Sequence, residues 1–275
     1  MSDNPLSDYF RSPELYITLP SEGKFFPEGA YEATEVGEIP VYPMTAMDEI
    51  AYRTPDALYN GTAVATVIKS CLPNIKDPWK MPAIDLSTVL AAIRIASFGP
   101  LMDIETACPK CKEVADYELD LREVLGQLGS PNYDDPLPIG ELKIYFRPLT
   151  YQEVNDNSKI NLEETRLAMM VQDAEMDEAE KIHLLSEAFL KVSNYTLDTI
   201  AKNIDHIDTP GAVTDDPKHI LEFLRNCERE IYEAIKAKIV SQRANTELKP
   251  LAIKCDKCEH EYEQPYTLDM SNFFE

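Results

Sequence analysis

Apolar positions recur every three to four residues through most of the chain, and every second residue in short runs between. The first spacing predicts helices over residues 48–59, 62–71 and 85–99. It predicts three more over 162–172, 178–192 and 196–207. Ile220, Leu224, Cys227, Ile231, Ala234 and Ile235 line one stripe, behind a capping Asp216 and a first-turn Pro217. Running unbroken to Arg243, that helix measures about 40 Å, as a bundle spine or a coiled-coil arm. Asp85 is placed to cap its helix, and Gly99 to take a left-handed turn at the far end. Alternation predicts strands over 15–19, 39–42, 115–121, 142–146, 251–253 and 266–270.

These elements divide the chain into five stretches. Residues 1–45, rich in Pro and Gly, read as an extended N-terminal arm, because repeated prolines prevent a helix. Residues 46–125 carry helices and a first Cys-x-x-Cys, and 126–149 form a loop and a connecting strand. Residues 150–245 form a helical insert, and 246–275 hold a second Cys-x-x-Cys with a C-terminal strand. The fold class is α+β: a mainly helical body, short strands and a four-cysteine module resembling a zinc ribbon.

An internal repeat runs through this order. The segment from Val41 to Ile50, VYPMTAMDEI, lines up with FRPLTYQEV, from Phe146 to Val154. In each, a strand meets proline, threonine caps, and a helix opens with an acid, Glu49 or Glu153, at the position of a reciprocal capping box. Helices, a Cys-x-x-Cys and a strand containing Leu-Asp (Leu119-Asp120, Leu268-Asp269) follow each copy. A common strand-to-helix junction recurs by chance. Four features in matching order favour an internal duplication.

A net charge of −23 argues against a nucleic-acid or anionic-membrane partner, because phosphates are repelled. It favours a partner with a basic patch. The 44% hydrophobic content supports a buried core. No apolar run reaches the length of a membrane span, and Met1-Ser2-Asp3-Asn4-Pro5 has no signal-peptide character. A cytoplasmic origin follows, where paired thiols read as metal ligands before disulfides.

Cys108-Pro109-Lys110-Cys111 and Cys255-Asp256-Lys257-Cys258 supply four thiols, the number that closes a tetrahedral zinc site. Sharing one ion would tie mid-chain to the C-terminus, with each half of the duplication giving half the site. Lys110, Lys112, Lys254 and Lys257 offset part of the −2 charge of a four-thiolate zinc centre. Such a site leaves no place for water, so its role is structural. An iron–sulfur cluster is the weaker alternative, and a thioredoxin-like site lacks its βαβ context. Cys71 and Cys227 read as small core residues, and His260 as a surface residue beside the knuckle. His183, His206 and His219 show no ligand spacing. The run Glu175, Asp177, Glu178, Glu180 reads as a solvated face. No catalytic, phosphate-loop or dinucleotide motif is present, so the chain is expected to be non-enzymatic.

One segment is unusual: Leu19-Pro20-Ser21-Glu22-Gly23-Lys24-Phe25-Phe26-Pro27. It resembles the Leu-Pro-Ser-x-Gly-x-Phe-Tyr-Pro signature of the baseplate hub family of T4-like contractile-tailed bacteriophages, with Phe26 where Tyr is common. Pro43-Met44-Thr45, Asp48-Glu49 and the helices up to the first knuckle are similar too. The resemblance implies a late phage protein, either a structural part of the tail baseplate or hub or a chaperone of its assembly. It would act in the host cytoplasm during assembly or in the virion tail, against other hub or tape-measure proteins. It brings no catalytic residues. Phe25 and Phe26 form an apolar plug, for the chain's own core or for a neighbour, and the acidic helical faces offer further contact. Two other readings remain: a zinc-ribbon adaptor for transcription machinery, and a zinc-dependent hydrolase, which would need an open metal position.

Overall fold

A computed structural model describes residues 5–6, 9–52, 61–173, 177–244 and 246–266. The chain divides into two units, Met1–Ser130 with Asn245–Glu275, and Pro131–Ala244. The second is therefore inserted in the sequence of the first.

In the first unit, β1 (Leu15–Ile17) pairs antiparallel with β2 (Ile39–Val41). Alternation turns Ile17, Ile39 and Val41 inward onto one core. Helix α1 (Ala46–Tyr52) follows; the rest of the helix expected over 48–59 lies outside the described residues. Helix α2 (Thr62–Cys71) matches its expected bounds and buries Val67, Ile68 and Cys71. Two 3₁₀ turns, Pro78–Lys80 and Ala83–Asp85, lead into α3 (Leu86–Phe98). Gly99 ends α3 with φ +89°, ψ 173°, a glycine conformation beyond the left-handed helical region, and its N–H donates to the Ile95 carbonyl.

Asp85 does not cap that helix. Its carboxylate makes no cap bond; it accepts from the Ser21 N–H (2.8 Å) and the Ser21 hydroxyl (2.7 Å). Asp85 is fully buried, and the unusual Pro-Ser-Glu-Gly turn is what satisfies it. Gly23 has φ +77°, and a Cβ there would sit 2.6 Å from the Tyr31 ring. Phe26 stacks on that ring at 4.8 Å and packs on the core. The plug is thus spent within the chain at Phe26, whereas Phe25 stays partly exposed.

Hairpin β3 (Leu101–Ala107) and β4 (Val114–Asp120), short helix α4 (Leu121–Gln127), and hairpin β9 (Leu251–Lys254) and β10 (Glu261–Gln264) complete this unit. The strand after the second knuckle is β10, earlier than the expected 266–270. Tyr266 is outside any strand, and 267–270 lie outside the described residues.

In the second unit, β5 (Leu137–Ile139), β6 (Leu142–Phe146), β7 (Ile204–Asp208) and β8 (Val213–Thr214) form one antiparallel sheet in that order. Helices α5 (Tyr151–Asp173) and α6 (Glu178–Lys202) pack as a hairpin. The helix expected over 196–207 therefore stops at Lys202. Ile204 and Ile207, three apart, are equally compatible with a helix, but they pair with Phe146 and Ile144 across a bulge. The long C-terminal helix is also broken. Cys227 and Glu228 take extended dihedrals between α7 (Pro217–Asn226) and α8 (Arg229–Arg243). Asn226 and Cys227 are weak helix formers, and the Glu228 carbonyl starts a new ladder by accepting from Tyr232 N–H. Asp216 caps α7 as expected.

Both units build the same strand-to-helix junction. Thr45 N–H and hydroxyl donate to the Asp48 carboxylate, and Asp48 N–H returns to the Thr45 hydroxyl. Thr150 and Glu153 repeat this reciprocal box. Its acid in the first unit is Asp48, not Glu49, because the acid must stand three residues after the cap. An arginine braces each box. Arg11 reaches the Pro43 carbonyl (2.6 Å) and lies 3.5 Å from Asp48; Arg147 reaches the Pro148 carbonyl (3.5 Å) and Glu153 (3.0 Å). Tyr42 and Arg147 N–H groups then donate to the carbonyls of Cys71 and Asn203, where a returning helix ends.

Candidate metal centre

Each knuckle is the tip of a two-stranded hairpin. The β3–β4 ladder ends at Ala107 opposite Val114, and β9–β10 at Lys254 opposite Glu261. Within the first tip, Cys108 N–H donates to the Glu113 carbonyl (2.8 Å) and Lys112 N–H to the Cys108 carbonyl (2.9 Å). Within the second, Cys255 N–H donates to the His260 carbonyl (2.9 Å) and Glu259 N–H to the Cys255 carbonyl (2.8 Å). The residue after each second cysteine is left-handed: Lys112 has φ +61° and Glu259 φ +53°. A non-glycine side chain there costs about 1–2 kcal/mol. The same strained turn is thus built twice.

The four sulfurs converge. Cys108 Sγ lies 3.7 Å from Cys258 Sγ, Cys111 Sγ lies 3.6 Å from Cys255 Sγ, and all four fall within 4.8 Å of one another. A tetrahedral ion with metal–sulfur bonds near 2.3 Å sets its sulfurs about 3.8 Å apart. The geometry therefore fits a single ion shared by both knuckles. Cys108 and Cys255 are buried, and Cys111 and Cys258 half-buried. Burial opposes charge on Cys108, but hydrogen bonds from the Cys111 and Lys110 N–H groups and with the Cys258 and Cys111 thiols bring its thiol down to about 6. At Cys258 the His260 backbone favours the thiolate, yet burial and the three neighbouring sulfurs carry it up to about 12.

Contacts outside the sulfurs hold the hairpins together. Lys257 pairs with Glu113 across the two tips. Thr106 Oγ1 donates to Gln264 Oε1 at 2.7 Å, and Tyr117 is hydrogen-bonded to Tyr262. These pairs were not foreseen from the sequence; the one signal was Lys257 inside the second knuckle, read there only as a counter-charge. Lys110, Lys112 and Lys254 are exposed beside the site.

The other candidates fall elsewhere. Cys71 is fully buried in the core, and burial, with Asp48 adding to it, raises its thiol to about 12. Cys227 sits at the break between α7 and α8, where its thiol donates to the Leu224 carbonyl. His260 stacks near Tyr262 and is not among the clustered ligands. His206 stacks on Tyr145 across the sheet of the second unit.

The chain is thus a two-unit α+β protein whose first unit carries four clustered thiols that could hold a metal ion. A family model described as T4 bacteriophage base plate protein matches residues 14–275. The chain belongs to that family. No curated protein and no solved structure matches it. Among the described residues no helix is long and apolar enough to cross a membrane.

Proposed function

We propose that this chain is a non-catalytic part of the hub region of a contractile tail base plate, stabilised by one structural Zn(II). The family match across nearly the whole chain carries the first half of this reading. The four converging thiols support the second: soft sulfur donors at tetrahedral spacing select zinc over hard cations, and four protein ligands leave zinc no open position for water. Cys108, Cys111, Cys255 and Cys258 are its ligands. Its partners are other tail proteins with basic surfaces, met through the acidic helical faces and through Phe25, the more exposed of the two arm aromatics. The chain would assemble in the host cytoplasm and remain in the virion tail.

The repeated capping boxes, bracing arginines and knuckle turns support descent from a duplicated unit, with the zinc ligands divided equally between the copies. Metal analysis is expected to give about one zinc per chain. Cys108→Ser and Cys255→Ser should each lower zinc content and stability together. Full zinc in either variant would overturn the shared site. Mass spectrometry of purified virions is expected to find the chain in fixed proportion to other base plate proteins. Its presence only in assembly intermediates would instead make it a chaperone.

A further inference from the structure

The β1–β2 ribbon has two outer edges, and they are treated differently. On β2 the outer position is Pro40, which has no N–H to offer and blocks further pairing. Tyr16 stands opposite Pro40, so it occupies the position whose own N–H and C=O point away from β2. Thr18, two residues on, points the same way. Among the described residues no other strand pairs with β1. The edge sequence, Tyr16-Ile17-Thr18, has no charge, proline or bulge to guard it.

A groove of about 380 Å³ runs along this edge, bounded by residues 16–20, by Thr88 of α3 and by the stretch from Leu125 to Ser130. Thr88 is only 5% exposed, and its hydroxyl has no hydrogen-bond partner among the described residues. The groove thus pairs an unguarded strand edge with a buried polar group that none of the described residues satisfies.

We infer that this groove receives an extended segment of a basic partner protein, which adds to β1 as a third strand. An extended backbone is the occupant because only alternating N–H and C=O groups match those of Tyr16 and Thr18. The segment belongs to another protein because two copies of this chain would bring −23 against −23, whereas a lysine- or arginine-rich sequence is attracted. The site is remote in chemistry from the cysteines and requires no metal.

The test uses the full chain, tagged at its C-terminus and isolated with its partners from cells assembling tails. Amide exchange at Tyr16 and Thr18 should slow at least tenfold between free chain and complex. Tyr16→Pro removes the outward N–H without touching the β1–β2 ladder. It should keep its melting temperature and metal content yet recover at least tenfold less partner, while Tyr16→Ala recovers it normally. Should Tyr16→Pro fail to fold, Thr18→Pro makes the same test two residues on. A photocrosslinker at Thr18 identifies the occupant. A crosslink to a basic segment of another tail protein bears out the inference. A crosslink to a second copy, or unchanged exchange at both amides, overturns it. Virion content tests the base plate reading separately.

Discussion

Asp85 illustrates how one side chain can carry a recognisable sequence feature. Burial pushes its carboxyl up to about 7, against the two Ser21 hydrogen bonds that favour the charged form. A folded value above the unfolded 3.8 means the folded chain holds the proton more tightly. The resulting stabilisation is complete below pH about 4 and lost as pH rises through about 7. Asp85→Asn keeps an acceptor for the Ser21 N–H and cannot ionise. Chemical denaturation at a series of pH values should show wild type losing stability relative to this variant between pH 4 and 7, with the difference constant above. A difference independent of pH would mean that Asp85 titrates normally. The Ser21–Asp85 pair was not legible in the sequence, because Asp85 also satisfies every local rule for a helix cap; the competing partner lies 64 residues away. The convergence of the four cysteines was legible because each Cys-x-x-Cys turn brings two sulfurs together.

At the level of elements, the two capping boxes do more than start helices. Asp48 is buried, and it receives Thr45 and Ser70 hydroxyls beside Arg11. Asp48→Ala removes a cap and the acceptor of the Ser70 hydroxyl, so the cost should reach about 2–3 kcal/mol. Urea unfolding would register this as a lower midpoint with an unchanged slope. A loss below about 0.5 kcal/mol would reduce the box to an ordinary surface cap. Periodicity found α2 and β6 at their observed bounds, since each carries a complete local signal. It missed β7 because an Ile-x-x-Ile spacing serves a helix as well as a bulged strand, and only the ladder with β6 decides. It missed the break at Cys227 because no proline or glycine marks it. Arg11 and Arg147 occupy matching places from different positions relative to their boxes, so no repeat in the sequence announces them.

For the whole molecule, the placement of the cysteines matters more than any single fold element. All four belong to the unit formed by the two ends of the chain, and the inserted unit, Pro131–Ala244, contributes none. Chelation should therefore destabilise the first unit by several kcal/mol, lowering its melting temperature by about 10 °C or more. Calorimetry should show the inserted unit's transition unmoved. One transition that shifts as a whole would mean that the units melt together.

The ribosome makes Cys111 long before Cys255, with 144 positions between them. During translation the early hairpin tip therefore waits for the second tip to be made before its sulfurs can meet their partners. A chain cut short before Cys255 can never close the sulfur cage. A metal held by all four sulfurs would therefore register that both tips of one chain have been made.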